Sequence, residues 1–438
     1  MANTNPARGM RDFLPVQVRR REYVIGIIKE VYESYGFEPL ETPAVENLET
    51  LTGKYGEEGN QLIYKILKRG EHEKTGEADL ALRYDLTVPL ARVVANHKND
   101  LPKFFKRYQI QPVWRADRPA RGRFREFYQC DVDAIGSISV VIEAELSLAV
   151  TEILRKLGFE DFTIRLNHRE ILRDLLLVSS IGETRQTDAL IAIDKLDKIG
   201  FDGVLKEFEQ RGISQNSGKK VLNFLEGIAK LQNNNEIYDE LEKFIGRDAF
   251  GANELRQIIE ISKNSHIKLD PSLARGLSYY TGAIFEIDVG KEIGSLGGGG
   301  RYDRLIGMFG KEQIPACGFS LGLERILVVM EERGMFPAEL KNTSADVLIT
   351  IWNGETISES LELAMDLRAR GLRVLVYPEA DKLGKQFKYA AQIGVPFVCV
   401  LGEDEIKNNT VALKNMQTGE QQTIPRENVS EKIKAPKI

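Results

Sequence analysis

Residues 104–136 constrain the fold most, because two long strand patterns lie there on either side of a short polar loop. The first pattern is FFKRYQIQPVWR and the second is FREFYQCDVDAIG, both rich in the aromatic and β-branched residues that favour strands. The loop between them, ADRPARGR, carries the proline and glycine of a turn. We therefore predict a long antiparallel hairpin with a basic tip.

The segment before this hairpin predicts a helix followed by an edge strand. In residues 16–35 the apolar positions include Val24, Ile28 and Val31, which share one face of an amphipathic helix. The next segment, FEPLETPAVENLETL, contains Pro39 and Pro43, and proline in a strand indicates an edge. A second copy of the same segment could cover that edge, so we predict a two-fold homodimer.

The rest of the chain divides into a helical stretch and a separate C-terminal unit. Residues 170–262 are almost wholly helical in pattern and predict a helical insertion into a core that spans residues 1–334. A linker at 335–344 leads to a domain at 345–438. Strand patterns at 346–351, 373–377 and 396–401 alternate there with helical ones, which predicts a small α/β domain with parallel strands.

Composition excludes several classes of protein. The 438 residues have a net charge of −5, which argues against general electrostatic attachment to nucleic acid. The three cysteines and four histidines are scattered, so neither a disulfide framework nor a zinc site is indicated. Because no apolar stretch is long enough for a membrane span and no signal peptide is evident, we expect a cytoplasmic protein with no membrane partner.

Arginines concentrate at the basic tip and at one other turn. Arginines at odd positions on a strand share one face, so we predict a row of guanidiniums that suits a polyphosphate. A solvated edge paired with surface acids is the alternative. Gly318, Gly322 and Arg325 mark a strand that enters a helix, a place that favours anions, although close helix packing explains the glycines equally well. The tip arginines are Arg115, Arg118, Arg121, Arg123 and Arg125.

These segments together resemble the class II aminoacyl-tRNA synthetases over nearly the whole chain. ETPAVE is similar to motif 1 of that class, FKRYQIQPVWRADRPARGRFREFYQCDVD to motif 2, and GFSLGLERIL to motif 3. LARGLSYYTG at 273–282 and GGGGRY at 297–302 resemble the signatures of the histidyl-tRNA synthetase family. The resemblance implies an α/β fold with an α+β catalytic core, in which helices flank an antiparallel sheet, and a C-terminal anticodon-binding domain.

The resemblance also implies the reaction and its ATP site. Members of the family join L-histidine to tRNA(His) through an adenylate and use ATP with Mg²⁺, and we expect no protein-bound zinc. Arg115 would bridge the histidine carboxylate and the α-phosphate, while Arg123 and Arg325 would hold the outer phosphates. Phe127 would stack on adenine, and Arg275 would stabilise the transition state. We therefore predict Arg115 and Arg275 as catalytic residues.

For the amino acid, the resemblance implies acceptors that surround the ammonium group and the imidazole. Asp85, Thr87 and Gln129 would bind the ammonium, and Asp133 with Tyr280 would bind the ring nitrogens. The complete predicted histidine site is Asp85, Thr87, Arg115, Gln129, Asp133, Arg275, Tyr279 and Tyr280.

Three positions depart from the commonest pattern of the family, and two rival functions compete with the one that the resemblance implies. Aspartate stands at 85 and 133 where many members have glutamate, and Ser278 stands where aspartate is usual. A synthetase-like regulatory subunit is disfavoured because the arginines and the C-terminal domain are present, and a threonyl or prolyl enzyme is disfavoured by LARGLSYYTG. Lys382, Lys385 and Lys388 share a helix face that suits the phosphates of the anticodon stem, although a solvated face is the alternative.

Overall fold

The computed structural model describes residues 4–70, 75–246, 249–274, 279–290, 293–337, 340 and 343–434. Contacts between residues divide the chain into two compact units. The first comprises Met1–Asp12 and Arg21–Met335, and the second comprises Phe13–Arg20 and Phe336–Ile438.

The strands of the first unit form an eight-stranded sheet and a small three-stranded sheet. In the large sheet the order is β1-β5-β6-β11-β10-β9-β7-β8, and only the β1–β5 and β7–β8 pairs are parallel. The order in the small sheet is β2-β4-β3. The strands are β1 (Glu38–Pro39), β2 (Val45–Asn47), β3 (Lys65–Leu67), β4 (Ala78–Leu82), β5 (Phe105–Trp114), β6 (Glu126–Ile135), β7 (Thr163–His168), β8 (Ile267–Leu269), β9 (Ala283–Asp288), β10 (Gly297–Arg301) and β11 (Ala316–Gly322).

Helices flank the large sheet, as the resemblance implied. The predicted first helix is present, and Val24, Ile28 and Val31 form its buried face. It ends before Gly36, whose φ of 75° is a backbone conformation that favours glycine. The helices outside the insertion are α1 (Pro15–Ser34), α2 (Leu48–Leu51), α3 (Gly56–Gln61), α4 (Thr87–Asn96), α5 (Val141–Lys156) and α12 (Leu323–Glu332).

The proline-bearing segment forms much less strand than its pattern suggested. Only Glu38–Pro39 pairs with the large sheet, and it does so at the edge, as the prolines predicted. The following residues form the short strand β2 and then turn into α2.

A set of helices fills the chain between β7 and β8, where the sequence predicted the insertion. Their apolar positions are buried among themselves, for example Val204, Phe208 and Leu225. They are α6 (Arg169–Val178), α7 (Glu183–Ile193), α8 (Leu196–Gln210), α9 (Gln215–Ala229), α10 (Asn234–Ile245) and α11 (Phe250–Ser262).

The second unit contains a five-stranded sheet in the order β13-β12-β14-β15-β16. The first three strands are parallel, as predicted, and the last two form an antiparallel hairpin. The strands are β12 (Val347–Ile349), β13 (Val374–Val376), β14 (Phe397–Val400), β15 (Thr410–Asn415) and β16 (Gln421–Pro425). The helices are α13 (Ile357–Ala369), α14 (Leu383–Ile393), α15 (Glu403–Lys407) and α16 (Val429–Lys434).

Candidate active site

A cleft of about 360 Å³ opens in the first unit beside the tip of the β5–β6 hairpin. Strands β9 and β10, the start of α12 and one residue of the insertion also contribute to its walls. The predicted substrate residues that line it are Asp85, Thr87, Arg115, Arg123, Phe127, Gln129, Tyr279, Tyr280 and Arg325. Asp133 is not one of the lining residues and is buried, with 2 % of its surface exposed. Arg275 and Ser278 lie outside the described residues.

The prediction that the tip arginines share one face is wrong. β5 ends at Trp114 and β6 begins at Glu126, so these residues lie in a loop where the side-chain alternation of a strand no longer applies. Arg115 and Arg123 line the cleft. Arg121 instead forms an exposed ion pair with Glu332, and Arg125 donates to the Asp117 carbonyl.

The N-terminal segment holds this loop in place. The Arg125 amide donates to the Gly9 carbonyl over 2.8 Å, and the Arg11 guanidinium lies 3.4 Å from the ring centroid of Phe124. Gly9 has a φ of 84°, and a Cβ there would lie 2.9 Å or less from the Arg125 side chain. Because Phe124 lines the cleft, these contacts connect the N-terminal segment with the cleft wall.

Arg115 extends along the cleft between two aromatic rings. Its Nε donates to the Tyr84 carbonyl over 3.0 Å. Its guanidinium carbon lies 4.3 Å from the Tyr84 ring centroid and 5.2 Å from that of Phe127. Planar contacts of this kind restrict a guanidinium to one orientation, which suits bidentate recognition of a carboxylate or phosphate.

Asp85 and its neighbours form an acidic end to the cleft. The Asp85 Oδ1 accepts hydrogen bonds from the Tyr55 hydroxyl and from the Val88 amide, each over 3.0 Å. Tyr279 donates to Oδ2 over 3.5 Å and is also hydrogen-bonded to Thr87. Burial raises the pKa of Asp85, although the Val88 amide and Arg115 oppose this effect. A cationic ligand would favour the charged carboxylate here.

Gln129 presents an acceptor to the same cleft. Its Nε2 donates to the Ser320 hydroxyl over 3.1 Å, which orients the side-chain amide. Its Oε1 is buried and has no hydrogen-bond partner among the described residues. A buried acceptor without a partner costs free energy, so this oxygen is suited to receive an N–H group from a ligand.

Asp133 is fixed beneath the cleft by two side chains that the sequence analysis did not single out. It accepts a short hydrogen bond from the Tyr302 hydroxyl, and Arg107 Nη2 lies 2.9 Å from Oδ2. Close packing explains one glycine of the third motif, because a Cβ at Gly318 would lie 1.9 Å from the Asp133 carboxylate. The predicted contact between Asp133 and imidazole stays a prediction.

The turn from β11 into α12 places Arg325 opposite the hairpin loop. Arg325 donates a short hydrogen bond to the Ser295 carbonyl, and a Cβ on Gly122 at the loop tip would lie 3.3 Å from its side chain. Glu324, the preceding residue, also lines the cleft and accepts hydrogen bonds from Arg21 over 2.8 Å and from the Tyr128 amide over 2.9 Å. The start of α12 thus supplies Arg325 to the cleft and contacts the hairpin through Glu324.

Sequence reasoning missed the residues that orient the predicted ones. They include Tyr55, Arg107, Tyr302 and Ser320, each of which contacts the side chain of a predicted site residue. Tyr302 had a signal, because it ends the GGGGRY pattern. Arg107 and Ser320 also lie in quoted motifs, but no role was predicted for them there, and Tyr55 stands in no quoted motif.

Two kinds of feature are absent from the residues that the structure describes. Within those ranges, no group of three or more His, Cys, Asp or Glu side chains could hold a metal ion. No helix in the described part of the chain is both long and apolar enough to cross a membrane.

Comparison with known proteins identifies the family. A family model described as histidyl-tRNA synthetase matches residues 9–326, and one described as anticodon binding domain matches residues 346–436. The histidine--tRNA ligase of Porphyromonas gingivalis is 44% identical, with 95% of this chain and 96% of that protein covered. That of Cytophaga hutchinsonii is 42% identical, with 97% and 98% covered.

A solved structure gives the same result for the fold. The crystal structure of histidyl-tRNA synthetase from Nostoc sp. PCC 7120 superimposes with a TM-score of 0.83 at 34% identity, with 99% of each chain covered. On these matches, and with a cleft built from the expected motifs, the chain belongs to the histidyl-tRNA synthetase family.

Proposed function

We propose that this chain activates L-histidine with ATP and then transfers the histidyl group to tRNA(His). In the first step the histidine carboxylate attacks the α-phosphorus, which forms histidyl-adenylate and releases pyrophosphate. In the second step a ribose hydroxyl at the tRNA end attacks the acyl carbon and releases AMP. Like the rest of its family, the chain is an ATP-dependent histidine--tRNA ligase. The observation that carries the residue assignments is the collection of predicted arginines, acids and aromatic residues in one cleft.

Three arginines are proposed to stabilise the negative charge of ATP. Arg115 binds the α-phosphate and the histidine carboxylate together, since its guanidinium is oriented between two rings. Arg123 and Arg325 bind the outer phosphates. Phe127, beside Arg115, stacks on adenine. Positioned cations lower the barrier because phosphoryl-type transfer is catalysed mainly by alignment and charge stabilisation.

For histidine, the proposal assigns the ammonium group to the acidic end of the cleft. Asp85 supplies the counter-charge, and Gln129 supplies a carbonyl oxygen that has no other partner among the described residues. Thr87 and Tyr279 complete this end of the cleft, where Tyr279 also bonds to Asp85.

The imidazole is proposed to bind Tyr280 and Asp133. Tyr280 lines the cleft beside Tyr279, with ring centroids 4.9 Å apart. Tyr302 donates to Oδ1 of Asp133, whereas Oδ2 lies 2.9 Å from Arg107 Nη2 but has no hydrogen bond among the described residues, so Oδ2 is the oxygen proposed to accept from a ring nitrogen. Arg275, outside the described residues, is proposed to stabilise the charge at the α-phosphorus.

Mg²⁺ is proposed to enter with ATP. The carboxylates that line the cleft are already engaged, for example Asp117 with Arg123 at 2.6 Å and Glu324 with Arg21 at 2.8 Å. Mg²⁺ is commonly held by substrate phosphates, waters and one or two carboxylates. The ion would therefore be bound mostly by the triphosphate and would neutralise part of its charge.

The second unit is proposed to bind the anticodon stem of tRNA(His). Lys382, Lys385 and Lys388 are exposed at the start and along one face of α14. Lys385 is also 2.9 Å from Asp381, an exposed pair that phosphate could displace at little cost. The Pro119–Gly122 part of the hairpin loop would approach the acceptor end.

A homodimer and a cytoplasmic location complete the proposal. β1 is an edge strand, and the nearby small sheet exposes Val45, Leu67 and Leu80. Exposed apolar side chains at a sheet edge are suited to burial by a second copy. Light scattering of the wild type should give twice the mass of one chain. Leu80→Glu should shift the measured mass toward that of one chain. A monomeric wild type would contradict the dimer. The cytoplasm is where ATP and tRNA would be supplied.

Aminoacylation with purified tRNA(His) tests the residue assignments. Arg123→Ala and Arg325→Ala should raise the KM for ATP, each with little change in the KM for histidine. Arg118→Ala is the matched control, because this exposed arginine of the same loop does not line the cleft. Equal behaviour of all three variants would contradict the assignment.

A further inference from the structure

One cation in the cleft comes from the helical insertion. Lys198 lines the cleft together with Glu286, Ser295 and Arg325. It belongs to α8, whereas the other lining cations among the described residues belong to the hairpin and the helix start. None of the roles assigned above uses it.

Lys198 lies next to a break in helix α8. Gly200 has φ 68° and ψ 179°, which interrupts α8 two residues later. The first turn of α8 is therefore separated from the rest of the helix. Residues of this turn project from the insertion toward the core sheet, as the ion pair of the neighbouring Asp197 demonstrates.

That ion pair ties the turn to the cleft wall. Arg165 on β7 lies 2.9 Å from Asp197, 2.6 Å from Asp270 and 3.2 Å from Glu286. Glu286 is itself a lining residue. Arg165 thus connects the insertion with β9, and Lys198 follows the tethered aspartate directly.

Lys198 differs from the other cleft cations in its contacts. Arg115 and Arg325 donate to carbonyl oxygens, and Arg123 pairs with Asp117. The Lys198 ammonium has no hydrogen bond or ion pair with any residue that the structure describes. A lysine with three unused donors on a flexible stem is suited to a mobile anionic group such as a terminal phosphate.

We infer that Lys198 of the insertion binds the outer phosphates of ATP and the pyrophosphate that leaves. The inference rests on the proposed ATP site. A tRNA phosphate offers the same chemistry, but Lys198 lines the same cleft as Arg325, to which the ATP phosphates are assigned. The insertion then supplies part of the catalytic cleft, with Lys198 as a binding residue and Asp197 as a positioning residue.

Histidine-dependent exchange of pyrophosphate into ATP, measured without tRNA, tests this role. Lys198→Ala should raise the KM for ATP and for pyrophosphate about tenfold, the loss of one charge-assisted hydrogen bond. The KM for histidine should not change, and Lys198→Arg should restore most of the loss. Asp197→Asn should give a smaller rise, because Lys198 remains but its turn is released.

Lys195→Ala is the matched control. Lys195 lies three residues earlier and is paired with Glu207 within the insertion at 2.6 Å, so its removal should leave the exchange unchanged. If Lys198→Ala keeps the wild-type KM for ATP and for pyrophosphate, the role of Lys198 is overturned but the ATP cleft is not. A change only in the KM for tRNA during aminoacylation would have the same consequence. Absence of exchange in the wild type would overturn the ATP cleft and Lys198 together.

Discussion

Gln129 shows how one buried atom defines a ligand contact. Gln129 lines the cleft, its amide is oriented by Ser320, and its buried Oε1 has no partner among the described residues. We predict that Gln129→Ala raises the KM for histidine about 10- to 100-fold, the range expected when a hydrogen bond to a charged group is lost. The KM for ATP, measured in the same exchange assay, serves as the internal control. An equal rise in both constants would point to general damage to the cleft instead.

Asp131 allows a prediction about stability and pH. Burial raises its pKa from 3.8 to about 7; Arg107 opposes this shift, and nearby Asp133 adds to it. A raised carboxyl pKa means that the folded chain binds more protons than the unfolded chain between those values, so this group lowers stability as pH rises through that window.

The variant Asp131→Asn resembles the protonated acid at every pH. Its melting temperature should therefore exceed that of the wild type at pH 8, and the difference should disappear near pH 4. Thermal melts followed by circular dichroism across this range provide the measurement. A difference that is constant with pH would mean that Asp131 does not titrate in this window.

At this scale the sequence was informative where a residue belongs to a motif. Arg115, Arg123 and Arg325 were found in that way, and all three line the cleft. Arg107, Tyr302 and Ser320 also lie in the quoted segments, but their roles were not found, because these roles depend on β5, β10 and β11 lying in one sheet. Contacts between residues so distant in the chain leave no local pattern in a single sequence.

At the scale of elements, the N-terminal segment and the hairpin loop act as one structure. Gly9 packs against Arg125 and Pro119 with a positive φ, so an added methyl group meets both strain and side chains. We predict that Gly9→Ala displaces the loop and lowers kcat/KM for ATP on the order of tenfold to hundredfold, the cost of misplacing a binding group by a small distance.

The variant Gly36→Ala distinguishes the effect of backbone strain from the effect of displacing the hairpin loop. Gly36 has a similar φ of 75°, but nothing lies within 4 Å of an added Cβ. This variant should lose about 1–2 kcal/mol of stability in denaturant unfolding while kcat/KM stays near that of the wild type. Similar kinetic losses in the two variants would argue against a specific role for the N-terminal segment.

Elements were predictable where their periodicity is local. The first helix, the long hairpin and the parallel strands of the second unit follow from their patterns. The tip arginines were misplaced because strand alternation was extended through residues that turn. The position of the α8 turn at the cleft depends on Arg165 and Asp197, which are 32 positions apart in the chain.

At the scale of the whole molecule, the account assigns activation to the first unit and anticodon contact to the second. We predict that the triple change of Lys382, Lys385 and Lys388 to Glu raises the KM for tRNA(His) and weakens its dependence on salt, because phosphate contacts are lost. Exchange of pyrophosphate, which needs no tRNA, should be unchanged. Lys407→Glu, an exposed lysine of the same unit, is the control. Loss of exchange in the triple variant would contradict this division of roles.

The central claim is that the cleft activates histidine through Arg115 and its neighbours. The most direct measurement is exchange of labelled pyrophosphate into ATP by the wild type with each amino acid in turn, and by Arg115→Ala with histidine. The account predicts exchange with histidine alone, reduced by orders of magnitude in the variant. A folded wild-type chain that exchanges with no amino acid, or a variant that retains full activity, would contradict it.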